Sequence, residues 1–150
     1  MKKILFFTMA LLLSTALFGQ NPTEDTTNTV YSFVESMPEY PGGQEALLSF
    51  LSNEIRYPQD AREKGITGTV LIKFVVEKDG SVSSAEVSVP LYSSIDEESV
   101  RAVMAMPKWK PGTFDGKPVR CYFQIPITFW MSKKEIKEAQ KRAKREAKSR

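Results

Sequence analysis

The sequence of 150 residues contains no histidine and a single cysteine, Cys121. Histidine is the commonest general base near neutral pH and the commonest metal ligand, so its absence argues against the most familiar catalytic and metal sites. One cysteine cannot form an internal disulfide, and we expect Cys121 to pack as a small apolar side chain rather than to act as a reactive thiol. No glycine-rich phosphate loop or paired-cysteine metal spacing is present. The sequence therefore predicts no enzymatic activity, no cofactor and no bound metal.

The sequence also lacks an apolar run long enough to span a bilayer comfortably, which takes about 17–25 residues. Residues 4–18 form an apolar stretch of about fifteen residues after a short basic start, and this pattern is typical of a secretory signal peptide. Cleavage is expected after Ala16 or Gly19, and no cysteine follows that could carry a lipid. We predict that residues 1–19 are a signal peptide, and the alternative is a short anchor that stays uncleaved.

Acidic residues outnumber basic ones between the leader and the C-terminal tail. The whole chain has a net charge of +3, but residues 20–131 contain ten basic and fifteen acidic residues, and residues 132–150 contain nine basic and three acidic ones. Ser132 and Glu135 predict the capped start of a charged helix. Because Ile136 is its only large apolar residue, we expect a solvated helix, with contact to an anionic surface as the alternative.

The most regular pattern in the chain is the stretch VRCYFQIPITF, residues 119–129. Side chains on a strand repeat every two residues, so this alternation predicts one long strand with one buried face. The buried set is Val119, Cys121, Phe123, Ile125, Ile127 and Phe129.

Pro126 predicts that this strand lies at the edge of its sheet, because proline has no N–H to give to a ladder. In a regular strand Pro126 shares its outward main-chain direction with Arg120, Tyr122 and Gln124. The open edge is either a plain edge blunted by proline and arginine or a docking site for an extended peptide.

Three other segments have helical patterns. Residues 44–55 place Leu47, Leu48, Leu51 and Ile55 on one face. Pro58 suits the start of a short helix that ends at Gly65. Residues 94–106 begin with a capping box, Ser94 and Glu97, and bury a stripe of Val100, Val103 and Met104. The acidic residues of that first turn are interpreted as complementing the helix dipole rather than as a catalytic cluster.

Two further strands are predicted over residues 69–77 and 82–89. Asp79-Gly80 between them predicts a hairpin with a type I′ turn. The inward set of the second strand is Ala85, Val87 and Val89, and a bulge near Ser83-Ser84 reconciles it with Val82. Trp109 is expected to cover the sheet.

These elements predict an α+β fold, a two-layer sandwich with a mainly antiparallel three-stranded sheet and helices on one face. Residues 30–35 are a candidate fourth strand. The predicted organisation is a signal peptide (1–19), a linker (20–36), one domain (37–131) and a basic helical tail (132–150).

The order and spacing of several motifs over residues 37–129 resemble the C-terminal domain of the TonB energy-transducer family. The matching pieces are Tyr57-Pro58 with Ala61 and Gly65, Gly68-Thr69-Val70, Phe74-Val75-Val76, Asp79-Gly80 with Val82, Asp96, Pro107 with Trp109 and Pro111, Gly116-Lys117-Pro118-Val119, and the run from Phe123 to Phe129. The preceding MPEYPGG and its leucine-striped helix are similar to one branch of that family.

This resemblance implies a periplasmic domain that binds the TonB box, a short extended segment at the N terminus of a TonB-dependent outer-membrane receptor. In the family this segment adds a strand to the sheet edge, and force from a proton-driven motor of the ExbB/ExbD type opens the receptor for transport. The implied partner-binding residues are Arg120, Tyr122 and Gln124 at the edge, with Tyr57 and Pro58 flanking the bound segment. No nucleic-acid partner is implied.

The chain departs from the family in having neither a full-length anchor nor a long proline-rich stretch. If the leader is cleaved, the domain is free in the periplasm; if it is retained, the domain is anchored to the inner membrane and can meet the motor. The competing interpretation is an envelope adaptor without motor coupling, whose tail touches anionic lipid or cell wall. Open strand edges also permit a homodimer formed by strand exchange.

Overall fold

The computed structural model describes residues 28–149, so the predicted signal peptide and the first part of the predicted linker lie outside the described residues. The elements in chain order are β1 (Val30–Tyr31), α1 (Gly43–Glu54), α2 (Gln59–Lys64), β2 (Gly68–Val76), β3 (Val82–Val89), α3 (Ser93–Met104), β4 (Thr113–Phe114), β5 (Lys117–Pro118), β6 (Arg120–Phe129) and α4 (Lys133–Lys148). None of these helices is long and apolar enough to cross a membrane.

The predicted α+β fold is confirmed. Four strands form one sheet in the order β1-β6-β2-β3, and β4 and β5 form a small separate hairpin. β6 pairs with β2 antiparallel over nine residue pairs without a break, from Phe129 opposite Gly68 to Cys121 opposite Val76. The candidate fourth strand exists as β1, which pairs with β6 in the parallel sense.

The core lies between one face of this sheet and the helices α1, α2 and α3. The inward residues of β2 are fully buried: Val70, Ile72, Phe74 and Val76. They pack with the alternate residues of β6 and with Leu51, Ala61, Ile95 and Val103 from the three helices. Burying each large apolar side chain contributes about 1.5–3 kcal/mol, so this layer stabilises the domain.

The β2–β3 hairpin is confirmed, but the predicted type I′ turn is wrong. That turn needs positive φ at both central residues, and only Gly80 has one, at 85°. The Gly80 N–H donates to the Glu77 carbonyl at 2.8 Å. The Asp79 carboxylate accepts from the hydroxyl and N–H of Ser81 at 2.6 and 2.9 Å. These bonds, with Lys108 adding to them, lower the pKa of Asp79 to about 2.

The predicted bulge in β3 is confirmed. The pairing register between β2 and β3 shifts between Lys73 and Val75, and Ser84 has a φ of 50°. An extra residue in one strand bends it and restores the inward parity of the residues beyond it. Ala85 and Val87 accordingly pack against the core, but Val89 is 51% exposed and its predicted inward position is wrong.

The helices α1 and α3 are placed as expected, but parts of their predicted faces are wrong. Leu48 of α1 and Met104 of α3 are about half exposed, at 56% and 48%. The buried residues of α3 are Ile95, Ser99, Ala102 and Val103, with Val100 packed partly against them. The faces are therefore rotated relative to the predicted stripes.

The predicted capping box of α3 is also wrong. Its N-cap is Tyr92, which makes no side-chain cap. The Asp96 carboxylate instead accepts from the N–H groups of Leu91 and Tyr92 at 2.9 and 3.4 Å. An acidic side chain in the first turn still satisfies backbone donors near the positive end of the helix dipole.

The α4 helix begins with the predicted capping box, in which the Ser132 N–H donates to Glu135 at 2.8 Å and the Glu135 N–H donates to the Ser132 hydroxyl at 3.2 Å. The expectation that the whole helix is solvated is wrong. Ala139 is 6% exposed, and a Cβ at Gly65 would lie 3.6 Å from Ile136. One side of α4 therefore packs on α2.

Candidate functional site at the sheet edge

The outer edge of β6 is partly occupied by β1. Val30 lies opposite Arg120 and Tyr31 opposite Cys121. The prediction that Arg120 offers free backbone groups at an open edge is therefore wrong, because the strand-forming end of the linker already pairs there. A two-residue strand carries no alternation of its own, so the sequence could suggest this strand but could not place it.

The side chain of Arg120 is also engaged. Its guanidinium donates to Glu77 at 2.7 and 3.1 Å and to the backbone carbonyl of Asn28 at 2.9 Å. The hydrogen bond from Arg120 holds the pKa of Glu77 below its usual value, and a hydroxyl bond from Ser83 adds to this effect. Arg120 therefore fixes the start of β6 to β2 and to the chain before β1.

Beyond Cys121 no strand in the described part of the chain lies beside the outer edge of β6. Gln124 and Pro126 are exposed, and Pro126 lies opposite Leu71 in the unbroken register with β2. The Tyr122 ring is half-buried on the open face of the sheet, with the Lys73 ammonium 4.0 Å from its centre. The predicted free edge is thus present from Tyr122 to Pro126.

This free edge forms one side of an apolar groove of about 460 Å³. The opposite side is α1 with the segment that leads into it. The lining residues are Pro38, Glu39, Tyr40, Gly43, Gln44, Leu47, Leu48, Leu51, Trp109, Phe123, Gln124, Ile125 and Pro126. Leu48, the residue that departs from the predicted core stripe, is exposed here.

The segment before α1 places that helix beside the edge. Glu39 and Lys110 exchange two backbone hydrogen bonds at 3.0 and 2.9 Å, which ties the segment to the loop before β4. The chain then turns through Gly42, whose φ is 85° and whose added Cβ would lie 2.9 Å from the Ala46 Cβ. Only glycine fits this close approach at positive φ. The MPEYPGG motif therefore has a structural role, because it fixes where α1 starts beside the edge of β6.

A cluster of aromatic rings supports the groove from the core side. Trp109 is 4% exposed, and its ring meets those of Tyr40, Phe74 and Phe123 edge-on with centroids 5.0–5.6 Å apart. Edge-to-face pairs of this kind contribute about 0.5–1.5 kcal/mol beyond their burial. The predicted position of Trp109 over the sheet is confirmed, and it holds the α1 side and the β6 side together.

Tyr57 and Pro58 do not line this groove. The Tyr57 hydroxyl donates to the Ile66 carbonyl, and its ring meets Phe129 edge-on at 5.4 Å. Burial raises the pKa of Tyr57, and Pro58 is the N-cap of α2. The structure places Gln124 in the lining of the groove and Tyr122 next to it on the open face of the sheet. It does not bring Tyr57 and Pro58 to the groove, and their role in binding stays a prediction.

The groove has the features of a peptide-binding surface rather than those of a catalytic or metal site. It combines a row of main-chain groups with an apolar wall, which is the arrangement that accepts an added β-strand. Residues 28–149 contain no cluster of side chains with the composition of a metal site. Leu47, Leu48 and Tyr40 were missed as site residues, and the only signal for them is the turn motif directly before a leucine-rich helix.

The described core matches a known protein family. The sequence profile of the Gram-negative bacterial TonB protein C-terminal family matches residues 53–131. Protein TonB of Vibrio cholerae is 36% identical to the chain over 78 residues, which are 49% of this chain and 30% of that protein. The chain therefore spans less than a third of the length of this curated relative.

Solved structures of similar chains include two NMR solution structures of the TonB C-terminal domain of Helicobacter pylori. Both are 24% identical to this chain with a TM-score of 0.45. They cover 57% and 62% of this chain and 90% and 88% of their own lengths. The family match includes all of β6, whereas the α1 side of the groove, from Pro38 to Leu51, lies before the matched residues.

Proposed function

Since the chain belongs to the family of TonB C-terminal domains, we propose that it is a TonB-like periplasmic peptide-binding domain. It engages the N-terminal box of outer-membrane receptors by β-strand addition, in energy-dependent transport across the outer membrane. The family consists of non-enzymatic transducing and binding proteins, so the prediction that this chain is not an enzyme is confirmed.

One observation carries the proposal: β6 leaves its edge free from Tyr122 to Pro126 beside an apolar groove. Unpaired main-chain groups on a strand edge form a template for another strand. Five residues of β6 extend about 17 Å at 3.3–3.4 Å per residue, so the free row matches a guest segment of about five residues.

The groove sets the chemistry of that guest. Alternate side chains of an added strand point to opposite faces of the sheet. One set faces α1, where Leu47, Leu48 and Tyr40 favour apolar groups. The other set lies on the open face near Tyr122 and Lys73, which favours polar or acidic groups. The preferred box is therefore a short extended segment with apolar residues at alternate positions.

The remaining parts of the proposal concern the cell envelope. The domain acts in the periplasm after export, and it meets motor proteins of the ExbB/ExbD type if its leader is retained. A homodimer by strand exchange uses the same free edge, so it competes with the guest segment. Tyr57 and Pro58 are proposed to contact parts of the receptor beyond the groove.

The test is a proline at Gln124, matched with alanine at the same position. Gln124 shares its parity with Pro126, so its N–H is expected to face outward, where proline removes only a bond to the guest. Synthetic peptides that cover the N termini of outer-membrane receptors from the same cell are the probe, and binding is measured by calorimetry.

We expect Gln124→Ala to bind within about threefold of the parent and Gln124→Pro to lose at least about tenfold, because lost pairing and a ring clash both weaken an added strand. Circular dichroism checks that both variants remain folded. Undiminished binding by a folded Gln124→Pro variant would rule out strand addition at this edge. Failure of every receptor peptide to bind the parent would overturn the proposed partner.

A further inference from the structure

The α4 helix separates its charges by face. Its side toward α2 carries the apolar residues and all three acidic residues, and the acidic ones are Glu135, Glu138 and Glu146. Seven cations lie on the other side: Lys133, Lys134, Lys137, Lys141, Lys144, Arg145 and Lys148. At 3.6 residues per turn these seven fall within an arc of about 120°, and no acidic residue of the helix falls within it.

The seven cations, here called the basic row, are all exposed. Within the described part of the chain, none of them forms an ion pair or a side-chain hydrogen bond. A helix built only for solubility intersperses both signs around its surface. Here the eighth cation, Arg142, lies apart from the row, in the crevices between α2 and α4.

The contact with α2 fixes which side of α4 faces outward. Ala139 is buried and Ile136 lies against Gly65. Arg62 of α2 lies near enough to Glu135 to help lower its pKa, after the larger effect of the Ser132 hydrogen bonds. The acidic residues thus lie along the crevices beside α2, outside the arc of the basic row, and the basic row is held away from the domain.

We propose that the basic row docks the domain on the surface of an anionic lipid bilayer. A straight helix of 16 residues is about 24 Å long. Because the seven cations share one arc along this length, all of them can approach one plane at the same time. Each lysine or arginine near an anionic surface strengthens binding several-fold, and the effects combine.

The charge of the rest of the domain supports a single orientation on that surface. Residues 28–131 contain ten basic and thirteen acidic residues, so an anionic bilayer repels the domain except at α4. The apolar stripe of α4 is already covered by α2 and cannot enter the lipid. Binding is therefore peripheral and electrostatic, unlike that of an amphipathic helix that inserts its apolar face.

A charge-matched pair of triple variants tests this proposal in the full chain. Lys137→Gln, Lys141→Gln and Lys144→Gln remove three charges from the basic row. Lys78→Gln, Lys110→Gln and Lys117→Gln remove three exposed charges elsewhere. Partition is measured on vesicles of phosphatidylcholine alone and of phosphatidylcholine with about 25% phosphatidylglycerol, at about 50 mM and about 1 M salt. Partition onto the neutral vesicles measures the binding that the apolar residues 4–18 contribute in the absence of lipid charge.

We expect phosphatidylglycerol to strengthen the partition of the parent protein onto vesicles at low salt. This gain should disappear at about 1 M salt, because the Debye screening length falls to about 3 Å. The α4 triple should lose about tenfold to a hundredfold of that gain, and the control triple should keep it within about threefold. Partition on neutral vesicles should not differ among the three proteins.

An equal loss in both triples would show that only net charge matters and would overturn the assigned surface. An unchanged gain in the α4 triple would overturn it too, provided that circular dichroism shows a folded helix. A third arm uses soluble polyglutamate. If polyglutamate binds the parent as tightly as the anionic vesicles do, and the α4 triple loses this binding, the occupant is an acidic polymer and the bilayer proposal fails.

Discussion

Gly80 connects the β2–β3 hairpin to the loop that carries Trp109. Its φ is 85°, and a Cβ at this position would lie 1.9 Å from the Trp109 carbonyl oxygen. The Trp109 N–H donates to the Gly80 carbonyl at 2.8 Å. The absence of a side chain at Gly80 therefore allows its backbone to contact that of Trp109, and this contact fixes the position of Trp109 over the sheet.

We predict that Gly80→Ala destabilises the domain by about 2–4 kcal/mol, since left-handed strain of about 1–2 kcal/mol adds to a backbone shift that breaks this contact. Gly116→Ala is the matched control. Its φ is 67° and no atom lies within 4 Å of an added Cβ, so only the strain of about 1–2 kcal/mol applies. Urea unfolding of both variants gives the comparison.

Equal losses in the two glycine variants would mean that the contact with Trp109 contributes nothing. The sequence predicted the turn at Asp79-Gly80 from its composition, because turn residues act locally. It could not predict that Gly80 touches residue 109, since that contact joins segments about thirty positions apart in the chain.

The strands were predicted more accurately than the faces of the helices. The period of two is unambiguous in β6, and the bulge at Ser84 in β3 follows from the parity of Val82, although Val89 at the end of β3 is exposed against the prediction. A short helix offers few apolar residues to fix its rotation, so Leu48 and Met104 were assigned to buried stripes although they are exposed. The free edge of β6 was predicted from Pro126. The position of α1 on the opposite side of the groove was not predicted, because local sequence patterns do not specify which element packs across a groove.

The packing of α4 gives a prediction for this element. Removal of residues 133–150 should leave the sheet folded but lower the free energy of unfolding by about 1–3 kcal/mol, since Ile136 and Ala139 lose their contact with α2. Chemical denaturation followed by tryptophan fluorescence measures this loss. The triple variant of the basic row, which keeps the apolar contacts, should lose less than about 0.5 kcal/mol.

An unchanged stability after this truncation would mean that α4 is an appendage that only touches the domain. The contact was not predicted because the small residues Ala139 and Gly65 give no apolar signal in the sequence, yet they allow two helices to approach closely.

Acid sensitivity belongs to the whole molecule, because carboxylates with lowered pKa values lie in different parts of the fold, and three of them have a charged or hydroxyl partner that accounts for most of the effect. Glu77 is held by Arg120, Asp79 by Ser81 and Glu98 by Arg101. A carboxylate whose pKa is lower in the folded state stabilises the fold above its unfolded pKa. That contribution disappears as the pH falls through the folded pKa.

We predict that Glu77→Gln lowers the free energy of unfolding by about 1 kcal/mol at neutral pH, since the carboxylate has partly buried, charge-assisted bonds. The difference from the parent should persist down to about pH 5 and then shrink as the pH falls below 4.5, the ordinary pKa of the group. Urea unfolding from pH 7 to pH 3 measures this dependence.

Glu86→Gln is the control for this titration. Glu86 is exposed and lies 3.6 Å from the half-buried Lys73, and pairs at the surface contribute about 0–1 kcal/mol. A loss in Glu77→Gln that grows as the pH falls would have the wrong sign and would contradict the proposed role of the Arg120 bond.

Mechanical load gives the short β1 strand a further consequence. A pull on the N-terminal end of the chain reaches β1 before any other described element. Two residue pairs hold β1 to β6, whereas nine hold β6 to β2. Tension therefore peels β1 away first and uncovers Arg120 and Cys121. If a guest strand adds along Tyr122 to Pro126 as proposed, its pairing would then extend to the uncovered residues, and the number of residue pairs that hold it would increase with the pull.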